Sequence, residues 1–306
     1  MRTRSHGPSA WLVALALVSN GCDDSLKSVS LLSETRVLGA RVEVEADPTR
    51  SSPKPGEHAA LRFFVAAPDG EPRFSYALSV CAVRLTNSGF PPCAGAPFAS
   101  ALQPESGRDD ARLDFQIPGE LDLATTPHAF ASGLICTDSG LNFDVHGAPA
   151  CATGSGTEVA FEFELGGPDS NNGSPTFAPD AFLLDGEPWW EAEQGACDDG
   201  SSTRVTGKTR HTLSVDLAQS DFESLTPQTS LEPSREILLF SPFASGGKLA
   251  HGFLSLAADS PLEQRQVNWD APGAEADRPE LIRFYFVVRD ARGGEDFATR
   301  ALCVVP

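Results

Sequence analysis

Among the residues able to do covalent chemistry, Cys22 has the most informative surroundings. It follows two arginines, Arg2 and Arg4, and the apolar run from Ala10 to Val18, in the order Val18-Ser19-Asn20-Gly21-Cys22-Asp23-Asp24. A cationic start holds the cytoplasmic side, a short apolar helix engages the export machinery, and small residues let a peptidase reach the bond before the thiol. The thiol can then carry acyl chains such as palmitate. The apolar run is shorter than the roughly 20 residues needed to cross a hydrocarbon core as a helix. The sequence therefore predicts a signal peptide over residues 1–21 and a lipid-anchored, extracytoplasmic chain from Cys22 onward, facing the periplasm or the cell surface.

The other nucleophile patterns are weaker. A G-x-S-x-G elbow does not occur. Ser51 with Lys54 and Ser245 with Lys248 have S-x-x-K spacing, yet prolines or glycines surround both pairs and no helix can bring lysine beside serine. Gly246-Gly247-Lys248-Leu249 lacks the earlier glycine and the Ser or Thr of a phosphate loop. Past the signal, His58, His128, His146, His211 and His251 stand apart from one another, without zinc-ligand spacing. His58 is expected on a solvent face, and His211 as a partly buried strand residue rather than a base. Asp169, Asn171 and Asp180, with Asp198-Asp199-Gly200 as a second acidic turn, resemble an oxygen-ligand loop only loosely, because position twelve is Asp180 and not a bidentate glutamate. A solvated linker accounts for them better, and no metal or cofactor is expected. Trp189 and Trp190 could stack on sugar rings; a place in the core or at a domain junction suits their apolar area better, and the same holds for Trp269.

Net charge and cysteine usage narrow the class. The formal charge of −19 becomes −21 once Arg2 and Arg4 leave with the signal. So acidic a surface repels phosphate backbones, which excludes nucleic acid as a partner. Assigning Cys22 to lipid leaves six of the seven cysteines, an even number that suits an oxidising compartment. Six cysteines admit 15 connectivities. Proximity favours Cys81 with Cys93 and Cys136 with Cys151, and Cys197 pairs with Cys303 as the two left in the second half; a Cys81 to Cys136 bridge between sheets is the alternative.

These side chains must be positioned by strands. Val42 and Val44 alternate with Arg41, Glu43 and Glu45, and apolar residues likewise recur at every second position at Leu61, Phe63 and Val65; Leu113, Phe115 and Ile117; Val159, Phe161 and Phe163; Leu213, Val215 and Leu217; and Ile282, Phe284, Phe286 and Val288. Period-two alternation broken by Pro/Gly turns marks strands with one buried face. Helix is expected only in the signal and in a turn near Ala218 to Ser224. The run Gly166 to Pro175 has a linker's composition. We therefore expect an all-β fold of two immunoglobulin-like β-sandwich domains: a tether over 22–35, a first sandwich over 36–167, a linker over 168–175 and a second sandwich over 176–306.

Four segments carry resemblances. Thr35-Arg36-Val37-Leu38, Lys54-Pro55-Gly56-Glu57 and Phe63 to Gly70 with its Pro-Asp-Gly turn resemble the first domain of immunoglobulin-like lipoproteins from myxobacterial-type genomes. Val287 to Gly294 is similar to the penultimate strand and turn of polycystic-kidney-disease and related immunoglobulin-like modules. The resemblance implies a fold and a cell-envelope setting, and transfers no catalytic residue. Ser19 and Asn20 depart from the bacterial lipobox, which carries Leu or Val three residues before the cysteine. The expected function is a non-enzymatic adhesion, scaffold or assembly module, held at a membrane by its lipidated N-terminus and meeting an envelope protein or glycan. A carbohydrate-binding module and a secreted hydrolase assembled only in three dimensions are the alternatives.

Overall fold

The computed structural model describes residues 28–83, 93–107, 110–153, 156–167, 172–190, 197, 202–225, 234–274 and 278–306. Cys22 and the signal peptide expected over residues 1–21 lie outside the described residues. The first half forms β1 (Arg36–Val44), β2 (His58–Ala66), β3 (Phe74–Val83), β4 (Ala99–Gly107), β5 (Ala111–Gln116), β6 (His128–Thr137), a small hairpin of β7 (Leu141–Phe143) and β8 (Pro149–Cys151), and β9 (Gly156–Glu164). Sheet β1-β2-β5 faces sheet β4-β3-β6-β9. Alternation determines which side chains enter between them: Val42 lies opposite Leu61, and Leu61 opposite Leu113. These three join Phe63, Phe115, Leu78, Val80, Ile135 and Phe163 in one apolar core.

The second half forms β10 (Phe182–Leu184), β11 (Glu187–Pro188), β12 (Thr203–Thr206), β13 (Arg210–Val215), β14 (Ser224–Leu225), β15 (Ser234–Arg235), β16 (Leu238–Ala244), β17 (Lys248–Leu249), β18 (Leu254–Leu256), β19 (Gln266–Asp270), β20 (Glu280–Arg289) and β21 (Glu295–Val305). Its sheets run β11-β10-β13-β19-β17 and β12-β21-β20-β16-β18. Without the two-residue strands and β12, which lies parallel to β21, the order β10-β13-β19 over β18-β16-β20-β21 repeats that of the first half. The chain is thus two successive sandwiches of one immunoglobulin-like Greek-key topology. Two single-turn 3-10 segments, Gln219–Asp221 and Leu262–Arg265, are the only helix among the described residues. The first falls where the turn near Ala218 was expected.

The second core is built on aromatic rings. Trp269 and Trp189 meet Phe284 edge-on at 4.9 and 5.1 Å, and Phe182 stacks on Phe286 at 4.5 Å, the geometries favoured by ring quadrupoles. The Trp269 indole donates to the Gly246 carbonyl at 3.0 Å. Gly247, at φ +77°, leaves that ring its space.

Disulfides join Cys81 to Cys93, Cys136 to Cys151 and Cys197 to Cys303. The alternative pairing fails on register: Cys81 lies opposite Phe130 and Cys136 opposite Ser75, so the two sulfurs are six positions apart along paired strands, roughly 20 Å. Three disulfides fit an extracytoplasmic environment. No helix among the described residues is long and apolar enough to cross a membrane.

Candidate functional site at the junction of the two sandwiches

The most elaborate side-chain chemistry lies where the sandwiches meet. A third apolar cluster of Leu32, Leu38, Ala66, Tyr285 and Val287, flanked by Phe64, Phe243 and Phe297, belongs to neither core. Phe64 of β2 stacks on Phe297 of β21 at 4.6 Å. The outward faces of β1 and β2 are apolar at these positions because they face β20 and β21, not water. Around the cluster, the Tyr285 hydroxyl donates to the Ala67 carbonyl. The Ala40 amide donates to Glu295 Oε2 at 2.9 Å, and Arg41 Nη1 to Asp296 Oδ1 at 2.8 Å.

Glu295 is 4% exposed. Burial pushes its carboxyl up to about 8, although Arg289 and the Ala40 amide pull it down. A side chain on Gly39 would meet Glu295 Oε2 at 2.2 Å, so glycine makes room for the carboxyl.

A polar seam continues from this point. Asn172 is fully buried; its amide nitrogen Nδ2 donates to Ser51 Oγ at 2.8 Å and Asp290 Oδ2 at 2.7 Å, and its backbone amide to Ser52 Oγ at 2.8 Å. Asp290 also accepts from the amides of Arg292 and Gly294. Arg292 donates to Glu236 Oε1 at 2.8 Å and Glu223 Oε2 at 2.7 Å, while the Gly173 amide donates to Glu223 Oε1 at 2.6 Å. Burial raises the carboxyls of Asp290 and Glu236 above the usual range, against the pull of these donors. Burial works against the charge of Arg292, but Glu236 and Glu223 outweigh it and hold the guanidinium above its ordinary value.

Two expectations change here. Composition makes 168–175 a flexible linker; residues 168–171 lie outside the described residues, but Asn172 to Ser174 enter the seam, where their backbone amides and the Asn172 side-chain nitrogen donate to groups distant in sequence. The tether over 22–35 is likewise held along its second part. Leu31 bridges Ala244 in parallel, the Leu32 amide donates to Ala244 at 2.8 Å, and the Ala244 amide donates to Ser30 at 2.9 Å.

No family model matches the chain. No curated protein matches it either. Among solved structures it is similar to Salmonella alpha-2-macroglobulin reacted with methylamine, at 12% identity and TM-score 0.23 over 92% of this chain and 16% of that one. It is also similar to a marsupial T cell receptor, at 12% identity and TM-score 0.21 over 89% of this chain and 98% of that one. The chain thus spans about a sixth of the macroglobulin's length.

A second constellation has the form of a hydrolytic triad. Thr209 Oγ1 lies 2.6 Å from His211 Nε2, and His211 Nδ1 lies 2.7 Å from Asp185 Oδ2. The sequence did not reveal it, because Asp185 comes from the β10–β11 turn and Thr209 from the approach to β13. For nucleophilic attack the hydroxyl proton must pass to the imidazole. Here the hydroxyl donates to the Thr206 carbonyl instead. The amides of Gly207, Lys208 and Thr212 are committed to Val305, Pro272 and Asp185. Burial opposes the charge of Asp185, but His211 and the Thr212 amide hold its carboxyl below the usual range. The arrangement clamps a turn onto β13.

The remaining predicted residues are dispersed. Trp189 is 2% exposed and packed on Phe284, which rules out sugar stacking there: its flat face is consumed by the core. Trp190 is 60% exposed. Trp269 is in the core. Ser51 bonds Asn172 and Ser245 accepts from the Arg283 amide, so neither serine meets its lysine. His58, His146 and His251 are exposed, and His128 approaches Glu162 at 3.2 Å. Asp180 is exposed, while Asp169, Asn171, Asp198, Asp199 and Gly200 lie outside the described residues. Among the described residues no group of three His, Cys, Asp or Glu could hold a metal ion.

Proposed function

We propose that the chain is a non-enzymatic, membrane-anchored extracytoplasmic lipoprotein whose two sandwiches act as one adhesion, scaffold or assembly module. One observation carries this reading: the junction combines an apolar cluster with a buried hydrogen-bonded seam. A module that must present a surface at a fixed orientation needs such a junction, whereas inter-domain contacts are otherwise the usual place for motion. Acyl chains on Cys22 supply the attachment, each buried methylene adding about 0.8 kcal/mol. The test replaces Cys22 by Ala in the native host and follows fatty-acid labelling and envelope fractionation. Loss of label with release from the membrane is expected; unchanged partitioning refutes the anchor. Affinity recovery of the mature chain from its own envelope then identifies the neighbour.

The exposed ring of Trp190 favours a second reading, a glycan-binding surface. A glycan array probed with the protein and with Trp190→Ala decides it, since binding that ignores the substitution rejects a stacking role.

A further inference from the structure

We infer that the second sandwich rests on the bilayer through an apolar patch centred on Val29 and Phe253; the inference relies on the lipid-anchored reading above. Val29 and Phe253 are 70% and 61% exposed, among the most exposed large apolar side chains described. They belong to segments distant in sequence that the fold brings together. A β-carbon on Gly252, next to Phe253, would meet Val29 Cγ2 at 3.2 Å and Ser30 Oγ at 3.1 Å.

The sheet explains the proximity. Strand β18 covers only residues 238–240 of β16, through the pairs Leu238 with Leu256 and Phe240 with Leu254. Residues 30–32 take up the same edge at Ala244. Phe253 and Val29 therefore lie where the two short segments meet. Phe253 opens the apolar run that continues into β18, but its own ring is left outside the core.

The position of the chain's end identifies the occupant. Ser28, the first described residue, is six residues beyond Cys22, and six residues fully extended reach only about 20 Å. An acylated Cys22 sulfur sits at the lipid surface, so the part of the sandwich that Ser28 and Val29 occupy cannot stand far from the headgroups. An aromatic and a branched aliphatic side chain suit that boundary, where apolar groups bury to roughly 5–10 Å. Tethering also lowers the affinity required, because a short linker holds the patch at an effective concentration on the order of millimolar. Docking too weak to recruit free protein would still orient the anchored one.

The test uses the full lipidated chain in vesicles of phosphatidylethanolamine and phosphatidylglycerol whose acyl chains carry bromine, with Phe253→Trp and Val145→Trp compared. Val145 is a fully exposed apolar residue at the tip of the β7–β8 hairpin and controls for non-specific contact. Both variants should float with the vesicles, which reports the anchor. The emission added in Phe253→Trp should shift to the blue and be quenched by bromine more strongly than that added in Val145→Trp. Flotation with equal or weaker quenching for Phe253→Trp overturns the docking face and leaves the anchor standing. Failure to float overturns the anchor, and the docking inference with it.

Discussion

Replacing Glu295 by glutamine should remove a pH dependence that this single carboxyl imposes on the fold. The carboxyl is pushed from an ordinary 4.5 up to about 8, chiefly by burial, with Asp290 adding to the effect and Arg289 and the Ala40 amide opposing it. The folded protein therefore keeps this proton up to about pH 8, whereas the unfolded chain releases it near 4.5. Unfolding releases a proton across that window, so wild-type stability falls as pH rises through it. At about 1.4 kcal/mol per pH unit the window corresponds to a ceiling of about 5 kcal/mol, fully present as a penalty above pH 8 and absent below 4.5. Glu295→Gln keeps an oxygen for the Ala40 amide and cannot ionise. Near pH 5 the variant should match wild type to within about 1 kcal/mol, and near pH 9 it should be more stable by several. Denaturant unfolding at the two pH values, read from the buried Trp189 and Trp269, measures the difference. The other carboxyls with shifted values are common to both proteins, and those that do not interact with Glu295 cancel in the comparison. A variant destabilised equally at both pH values would refute the reasoning, because it would mean that Glu295 is ionised in the fold and paired with Arg289.

Three further substitutions probe the seam and the second core. Arg292→Ala leaves the carboxylates of Glu236 and Glu223 without their shared cation and should cost about 3–5 kcal/mol near neutral pH; the loss should shrink as pH is lowered, because burial raises the carboxyls of Glu236 and Asp290 and protonation removes the uncompensated charge, and a loss that does not change with pH in denaturant unfolding would argue against the raised carboxyls. Replacing Cys197 and Cys303 together by serine opens a bridge of sequence separation 106 and should lower stability by about 4–5 kcal/mol in the chain-entropy picture, to be measured against the oxidised wild type by the same unfolding. Gly247→Ala puts a β-carbon 2.4 Å from Trp269 Nε1 at φ +77°; a fall in melting temperature with altered Trp269 fluorescence is expected, and an unchanged melting curve would show that the loop yields freely.

The parts of the fold legible in the sequence are those that local pattern determines. Val159 to Phe163 alternates cleanly because its strand has one face on a core and the other outward; Ile282 to Val288 also reads as a strand, although Tyr285 and Val287 on its second face are buried at the junction. The disulfides were legible because each closes within one sandwich. Strands of two or three residues, such as β11, β14 and β17, are too short to show a period. Apolar runs also extend past the buried strand at their ends: Ile237 and Phe253 begin runs that lead into β16 and β18, yet both side chains are exposed. The junction was illegible for a different reason. Asn172 sits in a stretch whose composition is that of a solvated loop, and its partners Ser51 and Asp290 lie 121 and 118 residues away. Nothing local distinguishes the buried Glu295 from its half-buried neighbour Asp296. Asp290-Ala291-Arg292-Gly293-Gly294 reads correctly as a turn, but the same residues also supply two charges to the seam.

The cost of the seam bears on its purpose. Burying Glu295, Asp290 and Glu236 opposes folding, as their raised carboxyls attest, and an apolar junction built on Leu32, Leu38, Tyr285 and Val287 alone would avoid that cost. Apolar contact is non-directional, however, and tolerates sliding of one sheet face over another. The Ala40 amide can reach Glu295, and Asn172 can reach both Ser51 and Asp290, in one registry only; a shift by a single residue leaves buried donors and acceptors unpaired, at about 1–3 kcal/mol each. The chain also crosses between the sandwiches twice, at residues 28–36 and again near Asn172, so these contacts form within a closed loop and need little intrinsic affinity. Stability is thereby exchanged for a single mutual orientation, and the difference between Glu295→Gln and wild type near pH 9 measures how much stability Glu295 gives up.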